Sequence, residues 1–156
     1  MKIFIIGGPG SGKTFLAKKL SAEYGIPHYD LDDLFWDNTA AVYGTKRDPI
    51  ERDALLDRIL AENDWIIEGV YYAWCERCFA EADSIRFLNV PRRVYRRRII
   101  RRFIRRKLGM EKGKKETLGS LRDLLKWADR YQEKNAVEIA KILRAYSEKV
   151  TSEGPI

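Results

Sequence analysis

The chain has 156 residues, of which 45% are apolar and 34% charged, a balance ordinary for one globular domain whose core needs no disulfide. No stretch approaches the roughly 18 consecutive apolar residues of a membrane span, and the N-terminal apolar run is too short for a signal peptide, so we expect a cytoplasmic protein. The net charge of +7 favours polyanionic partners, either nucleotides or nucleic acid.

The N-terminal part of the chain predicts a strand, a helix and a second strand in that order. Residues 2–6 are apolar, rich in isoleucine and followed by glycines, which is typical of a buried strand. Residues 13–24 have the apolar spacing of an amphipathic helix, and Gly25 is a natural terminator just after it. Residues 26–31 are a second strand candidate.

The middle of the chain continues this alternation. Asp48 as N-cap and Pro49 in the first turn predict a helix that runs to about Glu62. A third strand is predicted at 65–69, and the sequence then predicts an amphipathic helix at 72–82 and a fourth strand at 84–90. Because strands alternate with helices, we expect a parallel sheet with right-handed crossovers.

The C-terminal part predicts two long helices separated by a loop. Pro91 starts a basic helix, and residues 108–119, rich in glycine and lysine, break the helical pattern, so we expect a mobile loop there. Thr117 or Ser120 then caps a last long helix. A fifth strand can begin near Val150, but the chain stops almost at once, which leaves open whether the sheet has four or five strands.

Two cysteines, Cys75 and Cys78, are the only ones in the chain. Structural zinc sites usually take four Cys or His ligands, and the single histidine, His28, is far away in sequence. Both cysteines lie on the apolar stripe of the predicted 72–82 helix. We therefore interpret them as buried core thiols, with redox or metal roles as the alternatives.

The segment from Gly7 to Thr14 matches the phosphate-loop pattern GxxxxGK[ST], and it stands between a predicted strand and a predicted helix. Glycines let backbone N–H groups converge on phosphate oxygens, and the helix N-terminus adds positive charge. Lys13 would reach the terminal phosphates, and the Thr14 hydroxyl would bind Mg²⁺. The alternative, a glycine-rich turn without a ligand, does not account for the complete motif. The predicted phosphate-binding residues are Gly8, Gly10, Ser11, Gly12, Lys13 and Thr14.

Three segments of the chain carry a resemblance to a known family. They are the loop GGPGSGKT from residue 7, HYDLDDLFW at 28–36 and WIIEGVY at 65–71. They resemble the adenylate-kinase-like P-loop kinases, of which shikimate and gluconate kinases are cousins. They are most similar to a small bacterial group known as DNA topology modulation proteins, which share the kinase fold. The Val90-Pro91 pair and Leu125-Lys126-Trp127 add weaker support.

The resemblance spans about residues 2–145 and implies a fold. It implies a three-layer α/β P-loop NTPase domain over residues 1–156, nucleoside-kinase-like, with helices on both faces of the sheet. The parallel sheet would have four or five strands in the order 2-3-1-4-5. Residues 32–64 would cover the acceptor of the phosphoryl group, and residues 98–120 would form a small lid.

Two aspartates follow the second predicted strand at a DxD-like spacing. In small-molecule kinases that this chain resembles, such an element meets the acceptor hydroxyl and the metal. The resemblance implies a catalytic role for Asp32, whose carboxylate would accept the hydroxyl proton, and a metal role for Asp30. The alternative is that Asp32 or Asp33 merely caps a helix that begins at Leu34.

Glu68 ends the third predicted strand, where adenylate kinases have an Asp-Gly pair that holds Mg²⁺ through water. The resemblance therefore implies a metal role for Glu68, with a plain ion pair as the alternative. Four residues after that carboxylate adenylate kinases have an arginine, whereas this chain has Tyr72. Relatives often show aspartate in the fourth strand, where this chain has Asn89. These departures count against AMP as the acceptor.

Residues 92–107 contain ten basic residues among sixteen. The resemblance places Arg98 and Arg102 on the family's two nucleotide-side arginines, which share one helix face. One guanidinium can stack on the base and the other can meet phosphate, where it stabilises charge during transfer. The other arginines form either a solvated basic face or a surface from Arg92 to Lys107 that binds a polyanion such as DNA.

The segment predicted to cover the acceptor contains Arg47 and Arg52. They are consistent with an anionic acceptor, and equally with ordinary surface charge. Several aromatic residues are candidates for lining an acceptor pocket, with core packing as the alternative. These aromatic residues are Phe35, Trp36, Tyr43, Tyr71 and Tyr72.

The sequence therefore predicts an ATP-dependent phosphotransferase for a small acceptor that bears a hydroxyl or a phosphate. Lys13, Arg98, Arg102 and Mg²⁺ would neutralise charge while Asp32 orients the acceptor. The choice of ATP follows from the resemblance. The alternatives are a nucleotide-regulated DNA-binding protein and an ATPase that acts on a protein partner. The sequence does not name the acceptor.

Overall fold

The computed structural model describes residues 1–42, 44–110 and 117–152. Five parallel strands form one sheet in the order β2-β3-β1-β4-β5. The order implied by the resemblance is confirmed, and the open question of a fifth strand is answered. The strands are β1 (Lys2–Gly7), β2 (His28–Asp30), β3 (Trp65–Gly69), β4 (Ser84–Leu88) and β5 (Val150–Ser152).

Helices cover both faces of this sheet, as the resemblance implies. A π-helical segment, Tyr131–Asn135, joins the sixth helix to the seventh, and a 3-10 segment, Arg144–Lys149, leads into β5. None of the described helices is long and apolar enough to cross a bilayer. The helices are α1 (Lys13–Tyr24), α2 (Leu31–Phe35), α3 (Pro49–Leu60), α4 (Glu76–Glu81), α5 (Arg92–Lys107), α6 (Leu118–Arg130) and α7 (Ala136–Leu143).

The central strand β1 contributes to two separate hydrophobic cores. Phe4 lies in the core that α3, α4 and α7 cover, and its ring meets Phe79 edge-on with centroids 4.9 Å apart. Ile3 and Ile5 lie in the core that α1 covers. Burial on both faces is typical of a parallel strand with helices on each side. It explains why residues 2–6 are apolar without alternation.

Two helix ends follow the predicted local signals. Helix α1 ends at Gly25, which adopts a left-handed conformation with φ of 68°. Helix α3 begins after Asp48, whose side chain accepts a hydrogen bond from the Ile50 amide at 2.9 Å. It ends at Leu60, slightly before the predicted Glu62.

The second strand is shorter than predicted because the chain enters α2 directly. Helix α2 begins at Leu31, three residues before the predicted Leu34. Its cap is Asp30, whose Oδ1 accepts a hydrogen bond from the Asp32 amide at 2.9 Å. The alternative in which Asp32 or Asp33 caps this helix is therefore wrong, since the capping carboxylate stands one or more positions earlier.

The helix predicted at 72–82 is shorter in the structure, where α4 occupies only Glu76–Glu81. The chain before it is a loop, in which the Cys75 thiol donates to the Tyr71 carbonyl at 2.9 Å. The Tyr71 and Trp74 rings of this loop pack with one another, with centroids 5.3 Å apart. This local packing replaces the first turns of the predicted helix.

The last helix is not continuous, contrary to the prediction. Helix α6 has Thr117 as its cap, paired reciprocally with Ser120 in a capping box. The π-helical segment follows at Tyr131, whose side chain is buried. The extra residue that a π-helical turn inserts changes the direction in which later side chains point. Parts of the predicted 98–120 lid and the tail after residue 152 lie outside the described residues.

Candidate functional site

A cavity of about 400 Å³ opens at the carboxyl edge of the sheet. It lies where the loop after β1, the ends of β2 and β3, and helices α5 and α6 come together. Its lining contains every residue predicted to be catalytic or to hold metal. These are Lys13, Thr14, Asp30, Asp32, Glu68, Arg98 and Arg102. The structure thus brings the predicted residues together, while their roles stay predictions.

The phosphate loop is held by close packing of its glycines. Gly10 and Gly12 have φ values of 73° and 104°, a region that favours glycine. A methyl group on Gly10 would lie 2.8 Å from the Tyr95 carbonyl oxygen. The Arg98 guanidinium donates to the Ser11 carbonyl at 2.7 Å. Helix α5 therefore fixes the loop through both sterics and a hydrogen bond.

Lys13 lies at the end of the same loop, where α1 begins. Its ammonium donates to the Gly8 carbonyl at 3.1 Å. Burial lowers the pKa of Lys13, and the negative charges of Glu68 and Asp30 act against that lowering. A buried cation beside backbone donors is what the terminal phosphates of a nucleotide require.

Glu68 and Asp30 are register partners on neighbouring strands, so their side chains meet at one corner of the cavity. Glu68 is only 1% exposed, and its Oε1 has no hydrogen-bond partner. His28 Nε2 lies 3.6 Å from that oxygen. Burial acts to raise the pKa of Glu68, but the neighbouring His28 imidazole and the Lys13 ammonium outweigh it, and the pKa is lowered.

Asp30 responds in the opposite way. Burial, followed by the negative charge of Glu68, raises the pKa of Asp30 to about 7. Near neutral pH the two carboxylates therefore differ in protonation. Glu68 is ionised, whereas Asp30 is protonated in a substantial fraction of the molecules. A cation placed between them would favour the ionised form of both.

Asp32 has a partner that the sequence did not reveal. The Tyr71 hydroxyl donates to Asp32 Oδ1 at 2.7 Å. Burial, then the bond to Asp32, raises the pKa of Tyr71 well above its usual range, so the phenol keeps its proton. The Tyr71 ring stacks on Phe35 with centroids 4.8 Å apart. This packing fixes the hydroxyl that orients the Asp32 carboxylate.

Several basic residues of α5 hold the fold rather than face the cavity. Arg92 and Arg96 both donate to Asp129 Oδ2, at 2.7 and 2.6 Å, and Tyr95 donates to Asp129 Oδ1 at 2.7 Å. Asp129 lies on α6, so these bonds fasten α6 to α5. Sequence reasoning missed Asp129, because one aspartate among many charges carries no distinguishing pattern.

Arg47 and Arg52 do not line the cavity. Arg47 Nε donates to the Leu34 carbonyl at 3.1 Å, which fastens the start of the covering segment to α2. Arg52 pairs with Asp53 at 2.7 Å, and its guanidinium lies 4.4 Å from the centre of the Trp74 ring. Both arginines therefore make packing and ion-pair contacts away from the cavity.

The predicted aromatic acceptor pocket is also rearranged. Phe35, Trp36, Tyr71 and Trp74 pack against one another beside the cavity rather than along it. Tyr43 lies outside the described residues. The aromatic side chains that line the cavity are Phe15, 64% exposed, and Trp127, 41% exposed. Neither was predicted for this place, since Trp127 reaches it only through the fold of α6.

Cys75 and Cys78 are fully buried and free. The hydrogen bond with Cys78 and then burial raise the pKa of Cys75 well above its usual range. Among the residues that the structure describes, no group of three or more His, Cys, Asp and Glu side chains is arranged to hold a metal. The interpretation as core thiols agrees with this burial.

The strand order and the phosphate loop between β1 and α1 are those of the fold found in small P-loop kinases. A shikimate kinase from Bacteroides thetaiotaomicron superposes with a TM-score of 0.52 at 25% identity, over 87% of this chain and 79% of that one. A gluconokinase from Sinorhizobium meliloti superposes with a TM-score of 0.55, over 99% of this chain and 82% of that one. Its identity is 14%, so that likeness concerns the fold alone.

Residues 6–119 match the model of the family described as AAA domain, and the chain belongs to that family. An adenylate kinase from Lachnospira eligens is 31% identical, over 44% of this chain and 40% of its own length. An adenylate kinase from an Anaeromyxobacter species is 48% identical, over 26% of this chain and 19% of its own length. The chain thus matches less than half the length of these curated relatives.

Proposed function

We propose that the protein transfers the terminal phosphoryl group of ATP, with Mg²⁺, to a hydroxyl group of a small acceptor. One observation carries the proposal: the phosphate loop with Lys13 and the Asp32 carboxylate line the same cavity. A site for nucleotide binding alone has no need of a carboxylate oriented beside the phosphates. The similarity to kinases supports the same reaction class.

The residues present fit a magnesium ion. Mg²⁺ keeps several waters and binds through one or two carboxylates together with substrate phosphates. The Thr14 hydroxyl and the ionised Glu68, with an unpaired buried oxygen, are suited to hold such an ion, and Asp30 is adjacent. When bound, the ion would neutralise charge on the phosphate oxygens.

The protein's own side chains would position the reactants and balance the charge. Lys13, Arg98 and Arg102 would hold the triphosphate and stabilise charge that develops during transfer. Asp32 would accept a hydrogen bond from the acceptor hydroxyl and take its proton as the new bond to phosphorus forms. Tyr71 would act as a positioning residue, because its hydroxyl occupies one carboxylate oxygen and directs the other toward the acceptor.

The DNA-binding alternative gains little from the positions of the arginines. Arg92 and Arg96 are bound to Asp129, while Arg98 and Arg102 line the cavity. These four basic residues of α5 are therefore accounted for without nucleic acid. The resemblance to the DNA topology modulation proteins in particular remains a prediction from the sequence, and so does the cytoplasmic location.

The test is ADP release from ATP and Mg²⁺, measured with a panel of nucleosides, nucleotides, sugars and hydroxy acids, with and without DNA. We expect one class of acceptor to raise turnover at least about tenfold, and Lys13→Ala to abolish that gain by removing the phosphate contact. Lys18→Ala, on the exposed face of α1, is the matched control. Stimulation by DNA alone, decaying steeply with salt, would overturn the proposal.

A further inference from the structure

The cavity combines a charged environment, made of cations and carboxylates, with an apolar one, and the two suit different parts of a bound pair of substrates. Its cations are Lys13, Arg98 and Arg102, on α1 and α5. Its carboxylates are Asp30, Asp32 and Glu68, at the ends of β2 and β3. Apolar side chains from α1, α6 and the end of β3 face the same space. These apolar residues are Phe15, Val70, Leu124 and Trp127.

Trp127 lines the cavity on the side of the phosphate loop where the loop begins. The Tyr131 ring packs on Gly8, since a methyl group there would be 2.9 Å from a ring carbon. The Gly8 carbonyl is also the acceptor for the Lys13 ammonium. The Trp127 ring lies one helical turn before Tyr131, with centroids 6.1 Å apart. The Trp127 indole, which is 41% exposed, therefore lies near the part of the loop to which the Lys13 ammonium is bonded.

The position of Trp127 is set by the packing of α6. Asp129, two residues later, accepts hydrogen bonds from Arg92, Tyr95 and Arg96 of α5. Ala128 between them is buried against α5. These contacts fix the helix that carries the indole. A large exposed aromatic side chain at a cavity wall offers a flat surface on which a planar ligand can stack.

Taking the kinase function proposed above as its basis, we propose that the acceptor is a hydroxyl compound without negative charge whose planar ring stacks on Trp127. A nucleoside is the simplest compound of this class. Asp32 would bind its hydroxyl while the ring rests on the indole and on Leu124. Aromatic stacking of this kind tolerates different ring systems.

The charge of the acceptor follows from the carboxylates. Glu68 and Asp30 can be neutralised by a cation, but Asp32 must be ionised, and therefore negatively charged, when the acceptor binds if it is to take the hydroxyl proton. An anionic group held on the acceptor close to the Asp32 carboxylate would be repelled by that charge. Shikimate and gluconate, which give two structural relatives their names, are carboxylates. We expect both to be poor acceptors here.

The experiment compares three groups of acceptors at equal concentration with ATP and Mg²⁺. The first group is adenosine and cytidine, which are neutral and planar. The second is AMP, shikimate and gluconate, which are anionic. The third is sorbitol, which is neutral but has no planar ring. We expect Lys13-dependent ADP release to be highest with the first group, by at least about tenfold in kcat/KM.

Two variants then test the indole. Trp127→Leu should raise the KM for the nucleoside about tenfold, because stacking is lost, and change the KM for ATP less than about twofold. Trp127→Phe keeps a planar ring and should restore most of the affinity. Because Trp127 is partly exposed, both variants should fold, which circular dichroism would verify.

Each other outcome has a clear meaning. A higher KM for ATP in Trp127→Leu, with tripolyphosphate binding unchanged, would place the donor base on the indole and overturn the inference. Preference for an anionic acceptor or for sorbitol would also overturn it while leaving the kinase function intact. No Lys13-dependent turnover with any of these compounds would overturn this inference, whereas the kinase function would be rejected only if the wider panel above also failed.

Discussion

The phosphate loop and the carboxylate corner, formed by Asp30, Asp32 and Glu68, are two parts of one cavity built in different ways. The loop is made of backbone, and its shape depends on glycines packed against α5 and on the Tyr131 ring. The corner is made of side chains that compete for protons. Substitutions that add atoms to the glycines should therefore disturb the phosphate loop. The carboxylate corner should instead be sensitive to substitutions that remove a charge and to changes in pH.

The largest expected effect is on Asp32, the carboxylate that we propose binds the acceptor hydroxyl. Asp32→Asn removes the proton acceptor, and we expect acceptor-dependent turnover to fall at least about 100-fold. ATP affinity, measured by calorimetry, should change less than about threefold, because Asp32 does not bind the triphosphate. Asp33→Asn, at the exposed neighbouring position, should leave turnover intact. Weakened ATP binding with preserved turnover would contradict the assigned role.

The next effect tests the packed loop. Gly10→Ala places a methyl group against the Tyr95 carbonyl, so the loop must shift, and we expect ATP affinity to fall at least about tenfold with a loss of roughly 2–4 kcal/mol in unfolding free energy. Gly25→Ala is the matched control. Gly25 has a similar positive φ but nothing within 4 Å, so only the backbone cost applies. Equal losses in both variants would show that close packing of the loop is unimportant.

A third effect depends on pH. The pKa of Asp30 is raised from 3.8 to about 7, so the folded protein binds more protons than the unfolded chain between these values, and stability falls as pH rises through them. Asp30→Asn removes this loss and keeps an amide oxygen to cap α2. In EDTA at pH 8 we expect a gain on the order of 2 kcal/mol that vanishes near pH 4.

Urea unfolding at the two pH values would measure that gain. Asp48→Asn is the control, because its side chain caps α3 in the same way at an exposed position. We expect no comparable gain at pH 8 in this variant. A gain for Asp30→Asn that is equal at pH 4 and pH 8 would argue against a raised pKa.

The smallest effect concerns the orientation of Asp32. Tyr71→Phe keeps the ring stacked on Phe35 and removes only the hydroxyl that binds Asp32. We expect kcat to fall about tenfold, the cost of one hydrogen bond to a charged group, with both KM values nearly unchanged. Tyr72→Phe in the same loop should leave kcat unchanged. A change in acceptor KM instead of kcat would assign Tyr71 to binding.

The difference between the two parts also explains what could be predicted from the sequence. The phosphate loop is contiguous from Gly7 to Thr14, so its motif is visible without a structure. Glu68 and Asp30 were singled out through the resemblance to small kinases, and each lies at the end of a parallel strand, where such ends meet at one edge. The structure brings these residues into one cavity, while their roles remain predictions.

The rest depends on contacts between distant residues. Tyr71 and Asp32 are 39 positions apart, and no local pattern pairs them. Trp127 reaches the cavity because α6 is fastened through Asp129, a contact that helical periodicity does not encode. The early start of α2 and the short α4 likewise follow from a capping carboxylate and from loop packing that override the apolar pattern.

The two buried cysteines can report how often the core around them becomes exposed to solvent. A thiol reacts with an alkylating reagent only as an accessible thiolate, and Cys75 and Cys78 are enclosed in the core beneath α4. The chain has no other cysteine. When the core opens and closes faster than the reagent reacts, the labelling rate of the native protein would therefore depend on the fraction of molecules in which this core is exposed. Slower labelling with bound nucleotide would then measure, without any enzymatic assay, how strongly the cavity is coupled to the core beneath it.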